Sequence, residues 1–114
     1  MIPIKAVAPL CIVLFLVSTC STAFASEVEI SKETWGQRCN SSDSYQVDAR
    51  NNSDRRLDIK ICIEQIDHKW TCYGASGTNP GEETHTSAFA CHSTGKTHLF
   101  WRTTGSNERL GSPE

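Results

Sequence analysis

The sequence predicts an all-β fold, a small antiparallel sandwich of about six strands stapled by two disulfides. Three observations carry that expectation. In Leu57-Asp58-Ile59-Lys60-Ile61-Cys62-Ile63-Glu64, four aliphatic residues recur at two-residue spacing with polar residues between them, the pattern of a strand with one buried face. Turn-forming clusters such as Asn40-Ser41-Ser42-Asp43, Asn51-Asn52-Ser53-Asp54 and Asn79-Pro80-Gly81 punctuate the chain at short intervals. Finally, aliphatic residues are scarce while cysteines are not. Beyond residue 25 only 12 of 89 residues are Leu, Ile, Val or Phe, so burial alone is marginal and covalent staples are expected.

The first element is a removable one. Residues 1–25 read as a signal peptide, with Lys5 as the positive flank, an apolar run from Ala6 to Val17, and Ala23-Phe24-Ala25 as the cleavage site. That run is shorter than the roughly 20 apolar residues of a spanning helix, and no second run follows, so no transmembrane segment is expected in the mature chain. Cleavage removes one charge, Lys5, and leaves a net of -3 over a domain spanning 26–104, with 105–114 as a disordered tail. The expected location is periplasmic or extracellular. Val17-Ser18-Thr19-Cys20 loosely resembles a bacterial lipoprotein box, so a lipid-anchored surface component attached through Cys20 is a further possibility.

In the mature chain, Val28 and Ile30 alternate with Glu27, Glu29 and Ser31, suggesting an edge strand that ends at Trp35-Gly36. Tyr45, Val47 and Ala49 alternate with Gln46, Asp48 and Arg50 as a half-buried second strand. Leu57 to Glu64 is the central strand, because three β-branched isoleucines disfavour a helix. After a break at Asp67-His68-Lys69, Trp70-Thr71-Cys72-Tyr73 returns antiparallel as a hairpin. Gly74 to Gly81 reads as loop. Thr84 to Cys91 and Thr97 to Thr103 are expected as the last two strands, joined by a hairpin loop at His92-Ser93-Thr94-Gly95.

Four cysteines remain after residue 25, and they allow three pairings. A hairpin centred on Asp67 sets Cys62 opposite Cys72, on the face away from the aliphatic row, and leaves Cys39 for Cys91. A half-residue shift of that centre would put Cys62 and Cys72 out of register, so Cys39–Cys72 with Cys62–Cys91, and Cys39–Cys62 with Cys72–Cys91, stay open. The layout from Tyr45 to Arg102 resembles the small immunoglobulin-like sandwiches of secreted and periplasmic proteins. It departs from antibody domains in lacking their spacing of core tryptophan and inter-sheet cystine. The resemblance implies an architecture and no activity.

The same residues narrow the function. Mixed charges exclude a sequence-wide attraction for nucleic acid, and the basic cluster Arg50, Arg55, Arg56 and Lys60 is interrupted by Asp48, Asp54 and Asp58. His85, His92 and His98 are the candidate metal ligands, but their spacing matches no zinc pattern, so neither a metal nor any other cofactor is expected. No nucleophile elbow, phosphate loop or Cys-x-x-Cys occurs, and the chain is expected to be non-catalytic, with a small secreted enzyme or metal protein as the alternative. Recognition of another protein, as by an inhibitor or immunity protein, is the class that remains. Its candidate residues are Trp70, Tyr73, Trp101 and Arg102, types enriched at binding hot spots.

Overall fold

The computed structural model describes residues 26–113; the expected signal peptide and Cys20 lie outside them. Six strands are present: β1 (Val28–Trp35), β2 (Tyr45–Asn51), β3 (Leu57–Gln65), β4 (Trp70–Thr78), β5 (Ala88–Ala90) and β6 (Ser93–Thr103). They form two antiparallel three-stranded sheets, ordered β1-β2-β5 and β4-β3-β6. The all-β class expected from the sequence is thus the one observed.

The period-two pattern explains the layering. Leu57, Ile59, Ile61 and Ile63 are fully buried on the inner face of β3 and meet Val28, Tyr45, Val47 and Ala49 from the facing sheet. Each buried aliphatic side chain contributes about 1.5 to 3 kcal/mol. Ala88 and Ala90 complete the core where β5 crosses close to it. The outer face of β3 is less open to water than its polar residues suggest. Cys62 is fully covered and Glu64 nearly so, because Cys72 and His98 flank the first and Trp70 the second across the ladder.

The β3–β4 hairpin has the expected register, with Cys62 opposite Cys72, and both expected disulfides are present, Cys62–Cys72 and Cys39–Cys91. Its turn holds three residues. Gln65 N–H donates to Lys69 O at 2.8 Å, His68 occupies the left-handed region at φ 68°, and Asp67 Oδ1 accepts the Lys69 N–H. Two disulfides are the staples of an oxidising, exported environment. Among the described residues no helix is long and apolar enough to cross a membrane.

Three expectations fail locally. Gly74 to Thr78, expected as loop, continue β4, with Gly74, Ala75 and Thr78 paired to Lys60, Ile59 and Leu57; the small side chains there do not break the ladder. The strand expected over Thr84 to Cys91 shrinks to three residues, since Thr84 uses both its N–H and its Oγ1 on Ala49 and Ser87 then turns left-handed at φ 52°. The link His92 to Gly95 is not a hairpin, because β5 and β6 belong to different sheets. Instead β6 begins at Ser93, whose Oγ donates to Glu64 O at 2.8 Å, and Gly95 at φ 86° is absorbed as a register shift opposite Ile63 to Gln65.

At the end of β2 a buried polar residue ties four segments together. Asn51 is fully buried, and its Nδ2 donates to Arg55 O at 2.7 Å and Thr78 O at 2.8 Å. Its Oδ1 accepts from Ser53 N–H and Ser53 Oγ, while its backbone bonds the 81–82 turn. All four hydrogen-bonding positions of the amide are used, which is the condition for burying it.

Candidate functional site

Antiparallel strand order brings three connections to one pole of the sandwich: the β1–β2 loop, the β3–β4 turn and the β5–β6 link. Backbone bonds stitch them. Ile66 N–H donates to His92 O at 3.0 Å, Ser93 N–H donates to Asp43 O at 2.9 Å, and the Cys39–Cys91 disulfide joins the loop to the link. Among the described residues, the large apolar side chains left exposed are Trp35 at 46% and Ile66 at 58%, and both stand on this pole.

Neither is loose. The Trp35 ring packs on Tyr45 with centroids 4.5 Å apart, and its edge rests on Gly95, where a Cβ would lie 2.9 Å from Trp35 Cζ2. Gly95 is therefore required twice, by its positive φ and by this approach. Tyr45 is fixed in turn by donating to Glu33 Oε1 at 2.9 Å, and burial together with that carboxylate raises its phenol well above the ordinary value. Of four non-glycine residues with positive φ among those described, Cys39, Asn40 and His68 lie here. Such backbone persists only where the surroundings over-determine it.

Several polar groups of this pole are paired with one another. His92 Nδ1 lies 2.8 Å from Asp43 Oδ1 and 3.3 Å from Ser41 Oγ, and Ser41 also bonds Asp43. Ser41's hydroxyl first, and His92 second, hold the Asp43 carboxyl below the usual carboxylate range. These are the residue types of a hydrolytic triad without its geometry: serine and aspartate converge on the same ring nitrogen, so no relay runs from one to the other. Nearby, Glu64 accepts from Thr94 Oγ1 at 2.8 Å and faces His68 at 3.5 Å; chiefly the Thr94 bond lowers its pKa.

The residues singled out from the sequence divide between two faces. Tyr73 and Trp101 point inward, opposite Ile61 and Ile59, and each closes one side of the sandwich. Tyr73 Oη donates to Phe89 O at 2.7 Å and Trp101 Nε1 to Glu27 Oε1 at 3.2 Å. Trp70 and Arg102 point outward on the β4-β3-β6 sheet, at opposite ends of it. Trp70 leans edge-on against His98, which stacks at 13° on Phe100, while Arg102 pairs with Asp58 at 3.0 Å. The four residues do not form one patch. Phe100 and Trp101, adjacent on β6, fall on opposite faces, and the register that sets Trp101 opposite Ile59 turns it inward.

The three histidines also separate. His85 lines a groove of about 250 Å³ with Glu82 and Glu83 at the far pole, His92 sits beside Asp43, and His98 lies mid-strand on the outer face. Among the described residues no group of three His, Cys, Asp or Glu is placed to hold a metal ion. The basic cluster is spent on structure, with Arg50 on Gly81 O and Glu83, Arg55 on both carboxylate oxygens of Glu27, and Arg56 on Gly77 O. Trp35 and Ile66 were missed as site residues because both sit at strand ends, where alternation gives no face. No family model, no curated protein and no solved structure matches this chain.

Proposed function

We propose that the chain is an exported, non-catalytic binding module, periplasmic or extracellular, that takes another protein at the pole carrying Trp35 and Ile66. An inhibitor or immunity role suits that arrangement. The supporting observation is the pair of exposed apolar side chains on loops that are already held by a disulfide and three-way backbone bonding. Preorganised loops reduce the ordering cost of association, and an aromatic anchor beside an aliphatic one is the composition of a docking hot spot.

The test compares the wild-type chain with a Trp35→Ala/Ile66→Ser double variant, each immobilised and exposed to exported proteins of the organism that encodes it. Because Trp35 also packs on Tyr45 and Gly95, the far-ultraviolet spectrum and urea midpoint of the variant are compared with those of the wild type before binding is scored. A partner retained by the wild type should be lost by the variant, with affinity falling by roughly 30-fold or more for an anchor of about 2 kcal/mol. Identical captured sets from the two proteins would overturn the reading.

A further inference from the structure

The segment following β6 supplies a second surface, independent of the pole. Residues 105–113, expected from the sequence as a disordered tail, carry no strand, yet their bonds run them back across the outer face of the β4-β3-β6 sheet. Lys60 Nζ donates to Gly111 O at 2.9 Å and to Ser112 Oγ at 3.3 Å, and Arg102 Nη1 donates to Glu108 O at 2.8 Å. Gly111 lies directly on the Phe100 ring, where a Cβ would come within 2.6 Å of Cδ1 and 2.7 Å of Cε1. Gly111 has no positive φ, so contact with the ring, and not backbone conformation, selects glycine there.

The face beneath is built for contact. Trp70, His98 and Phe100 form a continuous aromatic row along it, and Lys60 Nζ stands 5.8 Å from the Phe100 centroid. The strap covers the Phe100 half and leaves His98 exposed. Its bonds to Lys60 and Arg102 are made mainly through its own carbonyls, Gly111 O and Glu108 O, which any extended chain can present. The requirement specific to the segment is a residue without a side chain over Phe100.

We propose that this outer face is a peptide-docking surface, occupied in cis by residues 105–113, and that its partner is an extended protein segment of the same chemistry: a glycine over Phe100, with carbonyls reaching Lys60 and Arg102. Binding such a segment displaces the strap. The proposal goes beyond the reading of the pole, and the substitutions that disable one surface leave the other untouched.

The test uses the full chain with both disulfides intact. Gly111→Leu forces a side chain into the Phe100 ring and lifts the strap without touching the core. Two readouts follow: the rate of trypsin cleavage after the exposed Arg109, and the polarisation of a fluorescent synthetic peptide with the sequence of residues 105–113. Wild type should be cleaved slowly and should not bind the peptide. In Gly111→Leu, cleavage should accelerate by roughly tenfold, the scale of one lost charge-assisted hydrogen bond. The variant should also bind the peptide saturably, and a further Lys60→Met change should abolish that binding. Unchanged cleavage would show that the contact does not hold the strap, and faster cleavage without peptide binding would show that the face docks nothing; either overturns the proposal.

Discussion

Replacing Asn51 by Asp changes one atom's chemistry at constant shape, and the surroundings of that atom set the cost. Asn51 Nδ2 faces two carbonyl oxygens, those of Arg55 and Thr78; when the amide becomes a carboxylate the buried Thr78 oxygen loses this donor, while the Arg55 oxygen keeps Ser53 Oγ at 3.0 Å. At about 1 to 3 kcal/mol for a buried acceptor left unpaired, the loss is roughly 1 to 3 kcal/mol before any charge penalty. A domain of about 90 residues has roughly 4 to 13 kcal/mol in total. The sign of the pH dependence is distinctive. Burial and two facing carbonyls raise the pKa of the new carboxyl above its unfolded value of about 3.9, so the folded form binds the extra proton and gains stability as pH falls. The protonated acid also carries one donor, enough for one of the two carbonyls. Urea unfolding of wild type and Asn51→Asp, followed by tryptophan fluorescence at several pH values between about 7 and 5, should show a large deficit that shrinks on acidification. A deficit below about 0.5 kcal/mol at neutral pH, or one indifferent to pH, would refute the assignment of Asn51 as the fully bonded tie between these segments.

Three further outcomes follow from the same structure. The Cys39–Cys91 bridge closes 52 residues and the Cys62–Cys72 bridge 10, so loop closure alone assigns them about 4 and about 2.7 kcal/mol. Paired alanine substitutions measured by urea unfolding should rank in that order, and equal losses would mean that native packing sets the values. Asp58 is pushed up by desolvation, but the Gly77 N–H, the Arg102 guanidinium and the Thr104 hydroxyl outweigh this and hold its carboxyl below the usual range. Its stabilisation is therefore present above the unfolded pKa of about 3.9 and lost as pH falls through the lower folded value, so the stability gap between wild type and Asp58→Asn should close in acid. Tyr73→Phe removes the bond to Phe89 O and should cost about 1 kcal/mol in a urea titration with little change in spectrum.

The central features of the fold were legible because they rest on period and register. Four aliphatics at two-residue spacing identified β3 and its buried face, and a turn centred on Asp67 was enough to set Cys62 against Cys72. Less was readable where a side chain competes with the backbone. Thr84 looks like a strand residue, yet it spends its hydroxyl on Ala49 and shortens β5, an event decided by a neighbour 35 positions away. The site was less legible still. Aromatic content pointed to Trp70, Tyr73, Trp101 and Arg102, but an aromatic with a polar tip can equally serve as a core residue, and Tyr73 and Trp101 do. The exposed pair, Trp35 and Ile66, depends on three loops meeting at one pole, which composition and alternation do not encode.

The inward turn of Tyr73 and Trp101 has a bearing on how the protein stays soluble. They stand on β4 and β6, the two outer strands of one sheet, and each reaches across to the rim of the other, Tyr73 to Phe89 on β5 and Trp101 to Glu27 just before β1. Each flank of the sandwich is thus fastened by the polar tip of an aromatic ring. A sheet edge is a template for another chain, and a flank that gapes presents both that edge and the apolar interior behind it. With so few aliphatic residues to press the layers together, these two clasps help hold the seams, and a flank that loses one brings its strand edge and the interior behind it within reach of another copy.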